Sequence, residues 1–495
     1  HRDLHSFPTR RSSDLKTRKF EGTADLQALI SGMTQTGTAA RQSHLFDNLD
    51  VPEVVNFLAA KTITADTDCC HKNYYLYRDT AGSGEWQAMP WDVDLSFGRV
   101  WTCGTPCLSY FDETIYTNQS LFVGSGNRVF TPVFSTPATR QMYLRRLRTL
   151  MDQLLQPPGT PEVSDLLRIR AADWTERIRP DAALDLVKWG TWGRRETIDQ
   201  AAARIWREFL PGRRQYLFQT MSRARGGEIP AAQAGDAVVR FGSVEFRPAS
   251  GNPEEEWLSL VNDSTNAVDV SGWRLEGGVR FTFRGGTVIP ARTEMFVSPS
   301  TRAFRARAVS PRRGERRFVV GPYSGNLSAW GGTLRLTDPA GRLVATHVHD
   351  GDPSAVQRGL RIVEVHYAPG VEDVSGLTEH VVLRNVGAEA LDLRGVRLVE
   401  GVQFEFGLGA LTRLGPGERA VVVADLEAFT ARYGEGLPVA GAYVGRLDNS
   451  GERLRLVDAA GEEVLDFSYS PGWQRPTAGG GFALGVVDER ARWED

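Results

Sequence analysis

Two short stretches carry the residue types that metal-assisted phosphoryl transfer needs: Asp68-Cys69-Cys70-His71-Lys72-Asn73-Tyr74-Tyr75 and, shortly after, Pro90-Trp91-Asp92-Val93-Asp94-Leu95-Ser96-Phe97-Gly98. Such a site needs an acid to orient the attacking hydroxyl, with an amide oxygen and a carboxylate on Mg²⁺, because metal and fixed donors must neutralise the charge on the moving group. Asn73 follows Asp68 by five residues, the spacing of a kinase catalytic loop, and Asp92 precedes a Phe-Gly. Each acid also has a plain structural use. Asp66 and Asp79 are expected in turns, and Asp68 or Asp92 could cap a helix or turn.

Position is the next requirement. Asn73-Tyr74-Tyr75-Leu76-Tyr77 and Trp86-Gln87-Ala88-Met89 read as two strands around the turn-forming Thr80-Ala81-Gly82-Ser83-Gly84, a hairpin that returns Asp92 to Asn73. Helices must carry it. Asp50-Val51-Pro52-Glu53 is a capped helix start with Pro in the first turn. A second helix is expected from Thr136-Pro137 to Pro157-Pro158, with Met142, Leu144, Leu147, Leu150, Met151, Leu154 and Leu155 on its buried side and Arg145, Arg146 and Arg148 on a solvated face. A third runs from Glu196 to Phe209, breaks at Pro211-Gly212 and resumes at Tyr216-Leu217-Phe218.

His1-Arg2-Asp3-Leu4 imitates a catalytic loop, but the position five beyond Asp3 is Pro8, which binds no metal. Residues 1–15 read as one translated frame of a sequencing adapter and are set aside as artefact. Native sequence is then expected to start near Lys16, with an upstream part and any signal peptide missing.

The 495 residues suffice for about three domains. Hydrophobic residues at 41% and charged ones at 24% are those of an ordinary globular chain, and a net charge of −3 points to no partner by charge alone. No apolar run is long enough for a membrane helix. Cys69, Cys70, Cys103 and Cys107 have no zinc-site spacing. Buried thiols or disulfides are the expectation, and a disulfide pairing would take partners for Cys69 and Cys70 from Cys103 and Cys107.

Beyond the Gly226-Gly227 to Asp236 linker the pattern becomes short alternating strands, and it occurs twice. Glu245 aligns with Glu364, Asn262 with Asn385, Asp269 with Asp392, Gly272 with Gly395 and Phe283 with Phe406. Tyr323 then aligns with Tyr443, Gly325 with Gly445, Leu327 with Leu447, Leu336 with Leu456, Asp338 with Asp458 and Gly341 with Gly461. Two homologous β-sandwiches follow from this.

The block from Thr62 to Arg99 resembles the spore-coat protein H (CotH) kinase family, whose signature is an Asp, a following Asn-Tyr-Tyr and a Pro-Trp-Asp-x-Asp-x-x-Phe-Gly; the resemblance spans roughly Lys16 to Arg225. It implies an atypical, exported bacterial kinase at the cell surface or outside the cell that uses ATP and Mg²⁺ or Mn²⁺ to phosphorylate Ser or Thr of a surface protein. Asp68 becomes the catalytic acid, Asn73 and Asp92 metal ligands, and Asp94 the second carboxylate candidate. Asp92 takes the principal place because the family's metal Asp lies five residues before the Phe. Neither a Gly-rich phosphate loop nor a Lys–Glu pair precedes Asp68, so the nucleotide-gripping lobe is expected to be missing and this chain to have little activity.

The repeats, with Val268-Asp269-Val270-Ser271-Gly272-Trp273 in the first and Leu391-Asp392-Leu393-Arg394-Gly395 in the second, resemble lamin-tail domains, an immunoglobulin-like sandwich family. Val396 replaces the Trp of the first copy. The expected fold is multidomain, α+β and all-β: adapter at 1–15, a kinase-like, mostly helical C-lobe at 16–228, and sandwiches at 237–351 and 359–488.

The competing function is a non-catalytic surface scaffold acting through its sandwiches, which would bind a protein ligand or a surface polyanion. Arg302, Arg305, Arg307, Arg312, Arg313, Arg316 and Arg317 form either a solvated loop or a polyanion site. His347 and His349 share one strand face and are expected at a surface strand end. No nucleic-acid fold signature accompanies the arginines.

Overall fold

The computed structural model describes residues 20–66, 69–70, 72–98, 121–190, 197–370, 373, 375–408 and 410–491. Helices α1 (Ala24–Met33), α2 (Thr38–Asn48) and α3 (Val51–Thr64) precede the hairpin β1 (Tyr74–Arg78) and β2 (Trp86–Pro90). Helices α4 (Phe130–Ser135), α5 (Pro137–Leu150), α6 (Leu166–Trp189) and α7 (Ile198–Arg204) follow. The α3 start obeys its sequence signal, since the Asp50 side chain accepts the Glu53 N–H at 3.2 Å and Pro52 sits in the first turn. Val54, Val55, Phe57 and Leu58 are buried against α5, and each such side chain contributes on the order of 1.5–3 kcal/mol.

One helical expectation changes, and one helix was not anticipated. The chain does not break at Pro211-Gly212; it stays helical from Ile198 to Thr220 through wide turns at Ile205–Phe209 and Tyr216–Thr220. A proline lacks the N–H that a regular turn requires, and a wider turn beside it accommodates that loss without ending the helix. Helix α6 has no counterpart in the apolar periodicity, because only Thr175 of its 24 residues is buried.

The first sandwich stacks two sheets. One runs, edge to edge, Phe318–Val320, Thr293–Val297, Trp257–Asn262 and Arg240–Glu245; the other runs Ser324–Gly325, Val279–Thr282, Arg274–Glu276, Gly332–Thr337 and Leu343–His349. The second repeats this plan. Its sheets run Val439–Ala442, Arg419–Val423, His380–Asn385, Leu360–His366 and Leu484–Gly485, and Val444–Gly445, Val402–Glu405, Arg397–Glu400, Arg453–Val457 and Glu463–Ser468. Each sandwich has one parallel pair, joined by a crossover that carries a short helix, Thr301–Ala306 in the first and Leu426–Tyr433 in the second.

Several aligned residues occupy equivalent places, although Glu245 lies opposite Trp257 and Glu364 opposite Val382, two residues out of step. Asn262 and Asn385 are fully buried and bridge backbone carbonyls, Asn262 to those of Asn266, Ile289 and Pro290, Asn385 to those of Glu389 and Leu414. Gly272 and Gly395 both adopt a left-handed backbone, with φ of 78° and 79°. Glu256 and Glu379 are buried carboxylates that accept the hydroxyls of Tyr323 and Tyr443 and the N–H groups of Leu327 and Leu447.

Their surroundings differ. One buried apolar cluster runs from Leu29 in α1 to Leu336 in the first sandwich, whereas the second sandwich has its own cores. The arginines expected in solvent make the join. Arg145 and Arg146 are buried; Arg145 donates to the Ala267 and Ala231 carbonyls, and Arg146 to Asn56 and Asp269. Arg148 donates to Asp152 and the Pro230 carbonyl.

Part of the arginine excursion is structural rather than solvated, while Arg302, Arg312, Arg313 and Arg316 remain exposed. Arg305 and Arg307 are buried, Arg313 pairs with Asp47 and Asn48, and Arg317 pairs with Glu294. An excursion that links parallel strands must cross a sheet face, and here the helical lobe covers that face. His347 and His349 lie at the end of the edge strand Leu343–His349 as expected, but His349 is buried, and their rings lie 5.7 and 5.5 Å from those of Phe241 and Phe246.

Candidate functional site

The C-terminal end of α3 supports the first motif. Lys61, buried on the apolar side of α3, pairs with buried Asp66, whose other oxygen accepts the Cys69 N–H at 3.1 Å. Asp66 is therefore a buried anchor rather than a simple turn residue. Asp79 is the expected turn residue, accepting the Gly82 and Ser83 N–H groups at 2.9 Å each. Burial of a charged pair demands full hydrogen bonding, and the Cys69 N–H meets part of that demand. The segment entering Asp68 is thus tied to α3. Asp68 itself and His71 lie outside the described residues.

Asn127 fixes the far side of the same segment, its amide donating to the Cys70 carbonyl at 2.5 Å and to the Tyr74 hydroxyl at 2.8 Å. Cys69 and Cys70 are paired with each other across a cis peptide, with their Cα atoms 3.1 Å apart. This differs from the expected partners, Cys103 and Cys107. Cys103 and Cys107 lie outside the described residues.

The hairpin forms in the expected register, from Tyr74 opposite Pro90 to Arg78 opposite Trp86. One step beyond the last pair, the Trp91 N–H donates to the Asn73 carbonyl at 3.3 Å. Asn73 and the residue preceding Asp92 are thereby hydrogen-bonded neighbours at the open end. Asn73, Asp92 and Phe97 have φ of 61°, 51° and 57°. Left-handed backbone is tolerated by Asn and Asp but unusual for Phe, and its concentration here marks a segment held by its surroundings. The Phe97 N–H donates to the Thr64 carbonyl of α3 at 2.7 Å, and its ring meets that of Phe209 at 5.5 Å.

Asp92 and Asp94 are exposed. Among the described residues no group of three His, Cys, Asp or Glu side chains could hold a metal ion. One amide and carboxylates at the mouth of a hairpin are hard oxygen donors of the kind that suits Mg²⁺, which keeps several waters and takes few protein ligands.

The flank of the hairpin rests on α3. Glu53 accepts the Ala88 N–H at 2.9 Å, and burial pushes its carboxyl up to about 7. On the outer face the rings of Tyr75 and Trp91 lie 5.3 Å apart, and Trp91 is 57% exposed. Sequence reasoning missed Lys61 and Asn127. Lys61 had a signal, a lone cation on the apolar stripe of α3 four residues after Phe57; Asn127 had none.

Comparison with protein families finds the CotH kinase protein family over residues 3–217 and the Lamin Tail Domain over residues 232–350. The first match begins inside the stretch read as adapter. No curated protein matches the chain. The chain carries a CotH kinase domain, to which α3 and the β1–β2 hairpin belong, followed by a lamin tail domain formed by its first sandwich.

Proposed function

We propose that, in the intact gene product, the helical lobe takes part in ATP-dependent phosphoryl transfer to Ser or Thr hydroxyls of an exported or surface protein, with Asn73 and Asp92 as ligands of Mg²⁺ or Mn²⁺, Asp94 as an outer carboxylate and Asp68 as the acid that orients the acceptor hydroxyl. The observation that carries this reading is the hairpin closure, in which the Trp91 N–H meets the Asn73 carbonyl and sets the amide ligand beside the carboxylate segment. A bound metal would neutralise charge on the phosphate oxygens. The chain's own residues hold the ligands in place: Lys61 with Asp66 and Asn127 fix the loop, and Thr64 fixes Phe97.

The second sandwich, which repeats the plan of the first with one added edge strand at Leu484–Gly485, is read as a second lamin-tail domain available for surface attachment. No helix among the described residues is long and apolar enough to cross a membrane. The test is transfer of labelled phosphate from ATP by the whole gene product. Transfer should fall about 10²-fold or more in Asp92→Ala, the scale of losing one preorganised electrostatic contact; equal transfer by the variant refutes the assignment.

A further inference from the structure

Glu85 sits at the turn end of the hairpin and is buried, and burial raises its carboxyl pKa while the Arg305 guanidinium opposes that rise. Its cationic partner comes from the first sandwich. Arg305, on the crossover helix Thr301–Ala306, donates through Nη2 to Glu85 Oε1 at 2.6 Å and to the Phe46 carbonyl at 2.9 Å, and both charged side chains are 8% exposed. Arg302 of the same helix reaches the Ala81 carbonyl in the hairpin turn at 3.4 Å. A second contact braces the flank. Arg284 pairs with Asp50, whose Oδ2 also accepts the Gln87 side chain of β2 at 2.9 Å. Beside it Gly286, with φ 90°, lies so close to the Pro52 carbonyl that a Cβ would clash.

We propose that Arg305, with Arg302 and Arg284, positions the hairpin whose open end bears Asn73 and Asp92, so that the first sandwich is a working part of the phosphoryl-transfer unit and not a separate binding module. This rests on the reading of Asn73 and Asp92 given above. The two strands run in unbroken register from the turn held by Arg302 and Arg305 to the ligand end, a span of about 15 Å at the usual rise per residue. A two-stranded ribbon is marginal by itself, so its orientation follows whatever grips its ends. Asn73 and Asp92 both adopt left-handed backbone, a sparsely populated region that their surroundings must hold.

The experiment uses the full chain with Arg305→Met, Arg305→Lys and Glu85→Gln, followed by amide hydrogen exchange and by Mn²⁺ titration read by electron paramagnetic resonance. Arg305→Met and Glu85→Gln should each speed exchange across Trp86–Pro90 by about tenfold or more, since each leaves a buried charge unpaired, while amides of the second sandwich keep their rates. Mn²⁺ affinity should fall several-fold in Arg305→Met and recover in Arg305→Lys, which restores a cation opposite Glu85, while the second-sandwich amides report any general loss of stability. Unchanged exchange at Trp86–Pro90 in both Arg305→Met and Glu85→Gln overturns the proposal whatever the metal does. Faster exchange in a chain that binds no Mn²⁺ even as wild type leaves the positioning role standing and sinks the metal-site reading instead.

Discussion

In the first sandwich Asp269 is buried against Arg146 of α5, with side chains 2% and 8% exposed; in the second the equivalent Asp392 stands in solvent, closed on Arg394 two residues away. The residue and its place in the fold are the same, but the partner differs. Buried wiring is common to both copies, through Asn262 and Asn385, Glu256 and Glu379, Tyr323 and Tyr443. The outer surface is where they part. A lobe covers one copy and makes its charges structural, whereas the other keeps its charges for solvent or a partner.

The largest effect should come from that contrast. Asp269→Ala strands the Arg146 cation and should destabilise the joint unit of lobe and first sandwich by about 3–5 kcal/mol, seen as a lower denaturation midpoint for that unit. Asp392→Ala should leave the midpoint of the second sandwich unmoved. Equal losses in the two variants would erase the distinction drawn here.

Asn262→Ala and Asn385→Ala sharpen the shared half of the comparison. Each leaves buried carbonyls unpaired and should cost about 2–3 kcal/mol. The first should appear only in the unfolding of the joint unit, the second only in that of the second sandwich. Losses that cross between units would show the sandwiches to be coupled.

Acidity should then act with opposite signs through one residue in each copy, Glu256 in the first and His366 in the second. Burial pushes Glu256 up to about 7, so the folded form binds a proton that the unfolded chain releases near 4.5; stability from this group is present below that value and lost as pH rises toward 7. Burial, and then the neighbouring His380, press His366 down to about 4, so its contribution is present above 6.5 and lost as pH falls toward 4. Each amounts to about 3 kcal/mol. Glu256→Gln should flatten the first slope and His366→Phe the second, in urea titrations between pH 4 and 7. A variant that keeps the wild-type slope would clear that residue.

The smallest change belongs to Arg312, an exposed arginine whose partner is Glu315 three residues on. Its replacement by Ala should alter stability by at most about 0.5 kcal/mol, against a far larger loss for Arg305→Met, when both are compared by denaturation midpoint.

The hairpin, the α3 cap and the repeat were legible in the sequence because each is local. Turn residues between alternating strands fix β1 and β2, and Asp50 with Pro52 fixes a helix start. The equivalence of Asn262 with Asn385 needs no more than spacing. The arginines were misread for a physical reason: a charged face against solvent and a charged face against another domain have the same periodicity, and only the tertiary partner separates them. Arg145, Arg146 and Arg305 are all of that kind. Asp66 was misread because its partner, Lys61, lies inside a helix whose apolar pattern promises no buried cation. The site was legible as a set of residue types, whereas its support by Asn127 and Thr64 depends on long-range packing that no local pattern encodes.

The most direct test of the central assignment is Mn²⁺ binding to the full chain by electron paramagnetic resonance, comparing wild type with Asn73→Ala and Asp92→Asn. The account predicts a protein-bound Mn²⁺ signal in the wild type, weakened by Asn73→Ala and abolished by Asp92→Asn, in chains whose denaturation midpoints stay close to wild type. A bound signal of equal strength in all three proteins, or none in the wild type, would contradict it.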